Sequence, residues 1–194
     1  RFINLGGFDL QSWDEALYAV RAKSILYFNA LWDQAAYSPE GLYSATHPPL
    51  YVWLTALAYK IFGINEFSAR FIAALSGVGV TMFTYMIGKE LYNIKVGFLA
   101  ALLLTLNPFF DFWSMQGQFD MTLAFFFSIS FYYYIKSLEQ NSVRYNVIVG
   151  ILTGLALLTK LFIALLIPFI IFVYEWLNPE NRNYKRLLML IYLP

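Results

Sequence analysis

The sequence has no cysteine, so neither a disulfide framework nor a thiolate metal site is open to it. It has little charge: 13% of its 194 residues are Asp, Glu, Lys or Arg, against about 25% in a soluble domain. A chain this poor in charge cannot easily cover a water-facing surface. It also lacks charge imbalance. A net charge of +1 gives no reason to expect nucleic acid as a partner. No repeat at a solenoid period is present. Neither an initiator Met nor a signal peptide is visible. Residue 1 is Arg, and residues 187–194 (LLMLIYLP) are an apolar run. Such ends read as those of an excerpt from a longer protein.

What is abundant is apolar surface. Hydrophobic residues make up 60% of the chain and come in long runs, so the bilayer is the expected solvent. The expected fold is all-α: a polytopic transmembrane helical protein with extracytoplasmic juxtamembrane helices. Residues 1–70 read as an extracytoplasmic loop with interfacial helices, and residues 71–194 as a bundle of about five to six spans.

Within the loop, residues 13–30 (WDEALYAVRAKSILYFNA) have helical periodicity, with Trp13, Leu17, Val20 and Phe28 on one side. Asp14 and Arg21 are seven apart, which stacks them on a common face. Residues 34–46 read as loop. Pro48-Pro49 suits a helix start, and residues 50–62 form an apolar helix ended by Gly63. That helix is short for a hydrocarbon core that needs about 20 residues, which places it at the interface. Spans are expected over 71–88, 96–115, 121–135, 147–159 and 161–177, with another beginning near Leu187. Asn107-Pro108 is expected to kink the second or mark its outer end.

Charge sets the orientation. Lys89 and Lys95, then Lys136 and Arg144, then Arg182, Lys185 and Arg186 fall on alternate connections. The positive-inside rule puts these in the cytoplasm. The opposite face then collects Asp14, Glu15, His47, Asp111, Asp120 and Lys160. An acidic residue at a hydrophobic boundary, such as Asp120, is costly unless water, a cation or a partner satisfies it.

Trp13-Asp14-Glu15-Ala16-Leu17-Tyr18-Ala19 resembles the Asp-Glu motif in the first extracytoplasmic loop of GT-C-type glycosyltransferases. Thr46-His47-Pro48-Pro49-Leu50-Tyr51-Val52-Trp53-Leu54 resembles their interfacial helix, and Asn65-Glu66-Phe67-Ser68-Ala69-Arg70 their next segment. Gln118-Phe119-Asp120-Met121-Thr122-Leu123 is similar to their second acidic motif, and Gly154-Leu155-Ala156-Leu157-Leu158-Thr159-Lys160 to their lysine-bearing segment. The order matches throughout. The relatives are protein O-mannosyltransferases and lipid A aminoarabinose transferases.

The resemblance implies inverting transfer of a sugar from a polyprenyl-phosphate donor to a protein or lipid acceptor, at the extracytoplasmic face of a multi-pass membrane protein. It implies catalytic roles for Asp14 and Asp120, with Asp14 as general base. Glu15, His47, Lys160 and Arg21 are the implied substrate-binding residues, the cations meeting the charge on the departing lipid phosphate. For Asp120 it leaves open orientation of neighbouring groups, a divalent metal ion, or positioning of the acceptor. Metal ligands are not assigned. One departure stands: the aminoarabinose relatives carry an acidic residue and Lys before the two prolines, where this chain has Thr46-His47. A metal site using that acidic residue is therefore in doubt.

Each residue also has a plainer reading. Asp14 and Glu15 suit a helix N-terminus, Asp120 a helix cap, and Lys160 a headgroup anchor. Arg21 and Lys23 are expected toward headgroups or water, Glu66 as a cap, Arg70 as an anchor, and Glu175 at the interface. Two other functions compete. A secondary transporter would place its ion-coupling carboxylates near the midplane on broken helices. A non-catalytic scaffold would have no use for acids and a lysine gathered on one face.

Overall fold

The structure, a computed structural model, describes residues 2–29, 31–32 and 48–178. His47, the 34–46 loop, Arg182, Lys185, Arg186 and the span expected near Leu187 lie outside the described residues. Among those residues the chain is all helix. The elements are α1 (Asp14–Phe28), α2 (Leu50–Phe62), α3 (Glu66–Leu91), α4 (Ile94–Thr105), α5 (Pro108–Ser114), α6 (Asp120–Gln140), α7 (Val143–Leu157), α8 (Leu161–Ala164) and α9 (Leu166–Leu177).

Asparagines punctuate the chain. Asn65, Asn93 and Asn107 each stand just before a helix, and their side chains accept backbone N–H bonds from Ser68, Val96, and Phe109 with Phe110. This satisfies donors that a first turn leaves open. Glu66, expected as the cap, is instead the first residue of α3, where a negative charge favours the positive helix end. Asn29 and Asn141 end α1 and α6 in the left-handed conformation. Gly63, at φ 81°, ends α2 as expected.

The expected 71–88 span is the middle of α3, a 26-residue helix. Among the described residues it is the one helix that is long and apolar enough to cross a membrane unaided. The expected 96–115 span is broken, with α4 and α5 meeting at 70°. Pro108 has no N–H and Asn107 caps a new helix, so the first turn of α5 cannot continue α4. The two apolar segments Val143–Leu157 and Leu161–Leu177 are each shorter than a span usually is. A break near Leu165 divides the second, where Pro168 removes the bond that Ala164 would accept.

Two expected connections are shorter than read from the sequence. α6 runs to Gln140 and α7 starts at Val143, while α3 runs to Leu91 and α4 starts at Ile94. Polar residues at these ends belong to helical turns, because a helix that leaves the apolar layer keeps its hydrogen bonds.

Small and hydroxyl residues let the helices approach. A Cβ on Gly88 would lie 2.8 Å from Gly97 Cα, so the α3–α4 hairpin closes glycine on glycine. Ser76 and Thr122 hydroxyls meet at 3.0 Å between α3 and α6, both buried. One apolar core joins α1 and α2 to Ala69 of α3 and to Phe119; a second joins α6 to α7, α8 and α9. Glu175, expected at an interface, is fully buried in α9 and accepts from the Tyr134 hydroxyl at 3.1 Å. The α1 stripe is also inverted from a packing stripe. Glu15, Tyr18, Ala19, Ala22 and Ile25 face inward, while Trp13, Val20 and Phe28 are exposed.

Glu90 of α3 pairs with Lys136 of α6. The α3–α4 and α6–α7 turns, with Lys89, Lys95, Lys136 and Arg144, therefore share one end of the bundle, as the charge pattern predicts. α1, the 116–120 turn and the 158–160 break gather at the other.

Candidate active site

The site is built around a buried clasp. Glu15 stands in the first turn of α1, and its carboxylate is wholly buried. Its Oε1 accepts from Arg70 Nε at 2.7 Å and from Gly117 N at 2.8 Å. Its Oε2 accepts from Gln11 N at 2.7 Å and from Arg70 Nη2 at 3.0 Å. Arg70 also donates to the carbonyls of Leu5, Phe8 and Asp9. One ion pair thus ties the N-terminal turn, α1, α3 and the 116–120 turn together. Burial pushes the Glu15 carboxyl up. The hydrogen bonds from Arg70, Gln11 and Gly117 and the Arg70 charge outweigh that and hold it below its ordinary value.

Sequence reading took Glu15 as a substrate contact and Arg70 as a span anchor. The structure engages both Glu15 oxygens within the protein and turns Arg70 inward. Arg70 stands one turn into an apolar helix, four residues after Glu66, and a cation placed there needs partners.

Space at Gly117 is tight. A Cβ there would stand 3.1 Å from Ala69 O and from Glu15 Oε1. The clasp therefore sets the height of the turn that leads into Asp120, the first residue of α6. Asp14, the first residue of α1, is exposed beside the clasped Glu15. Trp13, just before it, has φ 80° and ψ −118°. Such backbone costs about 1–3 kcal/mol in a non-glycine residue and persists where its surroundings impose it.

Tyr18, one turn along α1 from Asp14, marks where the motifs meet. Its ring stands edge-on to Tyr51 of α2 at 5.6 Å and to Phe119 at 5.2 Å. Burial, then the Asp14 and Asp120 carboxylates, pushes its hydroxyl up, with Arg21 opposing. One hydroxyl therefore lies within the field of both candidate carboxylates. Arg21, expected toward headgroups or water, is buried on the inner face of α1, and burial lowers its pKa. Lys23 is half-buried, its ammonium 5.6 Å from the Tyr27 ring.

Lys160 stands in extended backbone at the α7–α8 break. Its ammonium lies 4.4 Å from the Phe119 ring centroid and 3.4 Å from Asp120 Oδ1. The second distance is long for a charge-assisted bond, which runs about 2.7–2.9 Å. Asp120 does not cap α6 with its side chain. The head of α2 is anchored here too, through Leu50 N to Leu158 O at 3.0 Å. Asp120, Lys160 and the α2 start thus come to one place, against which the helix opened by Asp14 packs through Tyr18, and Asp14 and Asp120 sit at helix ends and not mid-span. Asp111 is elsewhere, half-buried in α5.

A family model described as dolichyl-phosphate-mannose-protein mannosyltransferase matches residues 46–193. The chain belongs to that family. It is 30% identical over 158 residues to a polyprenol-phosphate-mannose–protein mannosyltransferase of Mycobacterium tuberculosis, covering 79% of this chain and 29% of that one. It is 28% identical over 172 residues to an undecaprenyl phosphate-alpha-4-amino-4-deoxy-L-arabinose arabinosyl transferase of Pseudomonas savastanoi, covering 81% and 30%. Its fold is that of the crystal structure of ArnT from Cupriavidus metallidurans bound to undecaprenyl phosphate. There the TM-score is 0.79 at 21% identity, covering 99% of this chain and 37% of that one. The GT-C-type polytopic membrane fold is thereby established. The chain spans about a third of the length of the curated relatives it matches.

Proposed function

We propose that this mannosyltransferase-family chain carries the acceptor-activating and phosphate-binding residues of an inverting glycosyltransferase. The enzyme would move a sugar from a polyprenyl-phosphate donor to a protein or lipid acceptor at the extracytoplasmic membrane face. The observation that carries the proposal is the contact of Lys160 with Asp120 over the Phe119 ring, which meets Tyr18 of the helix that Asp14 opens, beside the α2 start.

In this reading Asp14 is the general base. It takes the proton from an acceptor hydroxyl as that oxygen attacks the anomeric carbon from the side opposite the phosphate. The bond from that carbon to the phosphate oxygen breaks, its electron pair leaves with the polyprenyl phosphate, and the sugar inverts. The departing phosphate gains negative charge in the transition state, and a nearby cation lowers its energy. Lys160 supplies that cation. Its long contact to Asp120 leaves it free to share its donors with a phosphate oxygen, while Asp120 keeps it aimed. His47 and Arg21 remain candidates to assist. The apolar α2 forms a wall for the lipid chain.

The donor set does not suit a metal at Asp120. That carboxylate faces an ammonium, and among the described residues no three His, Cys, Asp or Glu side chains gather. No step is drawn through a metal. The transporter alternative loses its footing, since the carboxylates sit at helix ends.

The test is Asp14→Asn in the full-length protein. Loss of a general base costs about 10²–10⁴ in rate, so transfer is expected to fall by that factor. Undecaprenyl phosphate binding and thermal unfolding should match the parent. Transfer at the parent rate would remove Asp14 from the mechanism.

A further inference from the structure

At the end of the bundle away from Asp120 and Lys160, the α3–α4 turn forms an open hollow of about 520 Å³ that the proposed reaction does not use. It is lined by Lys89, Asn93, Ile94 and Lys95. Its side chains offer hydrogen-bond donors. Each ammonium has three N–H groups and no acceptor, and neither lysine is in an ion pair among the described residues. Asn93 Oδ1, the side-chain oxygen of the hollow, is turned to Val96 N at 3.0 Å. Glu90 stands next to Lys89 in the chain, but its carboxylate is paired with Lys136 of α6, which Glu139 also contacts. Two exposed cations without a paired acid therefore face the hollow, and their charge selects an anion.

The surface that continues from the hollow says which kind of anion. Ile94, Phe98, Leu102 and Leu106 follow one another at intervals of four and are all exposed, so they form one stripe along α4. Leu99 and Leu103, one and two turns beyond Lys95, are exposed beside it. The helix packs through its other side, where Gly97 is buried against the backbone of Tyr85 and Lys89. α4 has 12 residues, about 18 Å at 1.5 Å per residue, close to one leaflet of a hydrocarbon core about 30 Å thick. A soluble phosphate would meet the lysines and leave the stripe unused. A plain hydrocarbon would meet the stripe and leave the lysines unused. An amphiphile with a phosphate at one end meets both.

We propose that the α3–α4 turn is a docking site for an anionic phospholipid. Its phosphate lies between the Lys89 and Lys95 ammonium groups, and its acyl chains run along the exposed stripe of α4. Close to a membrane surface each lysine strengthens binding of anionic lipid about fivefold. Two lysines at one hollow thus suffice to prefer an anionic lipid over a zwitterionic one by at least about tenfold. Lys136 contributes less, because Glu90 and Glu139 already hold it.

The test uses the full-length protein in phosphatidylcholine nanodiscs that carry a trace of lipid with a diazirine in its acyl chain. The probe is either phosphatidylglycerol or phosphatidylcholine, and labelled residues are located by peptide mass spectrometry after illumination. The phosphatidylglycerol probe is expected to label α4 at least about tenfold more than the phosphatidylcholine probe. Unlabelled phosphatidylglycerol should displace it, and glycerol 3-phosphate should not. Lys89→Gln together with Lys95→Gln should bring its labelling down to the phosphatidylcholine level. Both side chains are exposed, so thermal unfolding should stay near that of the parent. Arg144→Gln, an exposed cation of the neighbouring α6–α7 turn, should leave labelling of α4 within about twofold of the parent. Equal labelling by the two probes would make α4 an ordinary lipid-facing surface and overturn the proposal. So would displacement by glycerol 3-phosphate, which marks a soluble-phosphate site, an excess that survives the double substitution, or an equal loss in Arg144→Gln. No turnover enters the readout, so the transferase reading and this site can fail separately.

Discussion

α6 carries an acid–base pair at each end, and the two pairs differ in construction. At one end Lys136 is held by Glu90 and again by Glu139 at 3.1 Å. Its charge is consumed within the protein and sits beside other solvated cations. At the other end Lys160 reaches Asp120 at 3.4 Å, over a phenylalanine ring, in a turn fixed by a fully buried clasp. The first pair suits a role in orientation and helix registry. The second leaves a cation under-used in a rigid, partly apolar setting, where an added phosphate oxygen gains most. Both pairs have the same formal charges. What separates them is how completely the protein satisfies each cation, and what holds the acid in place.

Breaking the clasp should have the largest effect on stability. Glu15→Gln leaves Arg70 buried and uncompensated, which costs about 3–5 kcal/mol. Thermal unfolding in detergent should show it, with transfer lost in the same variant. The same pair predicts an acid limit. The Glu15 carboxyl lies below its ordinary value of 4.5. The unfolded chain therefore takes up its proton first as pH falls. Glu15's stabilisation is complete above 4.5 and is lost as pH drops through the folded value. The unfolding temperature should fall as pH drops through that window for the parent and fall less in Glu15→Gln.

Gly117→Ala comes next. The added methyl meets a backbone carbonyl and the clasped carboxylate at 3.1 Å, an overpacking cost of about 1–3 kcal/mol. Because it displaces the turn before Asp120, activity should fall more than stability does. Equal unfolding and activity in that variant would show that the clasp does not set the height of Asp120. The smallest effect belongs to Lys136→Met. Exposed and half-exposed ion pairs contribute about 1 kcal/mol or less, so unfolding should barely move.

Much of the fold was legible in residues. Apolar runs marked the helices, Gly63 marked the end of α2, and alternating cations put the 89–95 and 136–144 turns at one end. Asn107-Pro108 marked a break, and the structure makes it a 70° bend. Span lengths were harder. Period and hydropathy do not say where a helix stops once it leaves the apolar layer, so α3 and α6 overrun their expected ends. The site was legible in part. Asp14, Asp120 and Lys160 lie on one side because topology puts them there. The pairing of Glu15 with Arg70, 55 residues apart, has no local signature. The role of Gly117 depends on a carboxylate from another helix. Tyr18 reads as an ordinary core aromatic until its two acidic neighbours are seen in space.

The most direct measurement compares the two ends of α6. Undecaprenyl phosphate affinity is to be measured for the full-length protein carrying Lys160→Met and, separately, Lys136→Met. A lost charge-assisted contact is worth about tenfold or more, so Lys160→Met should weaken binding by at least that factor. Lys136→Met should leave it within about twofold, as expected of an ion pair worth little. Parent affinity in Lys160→Met, or equal losses in both variants, would contradict the assignment of Lys160 to the departing phosphate.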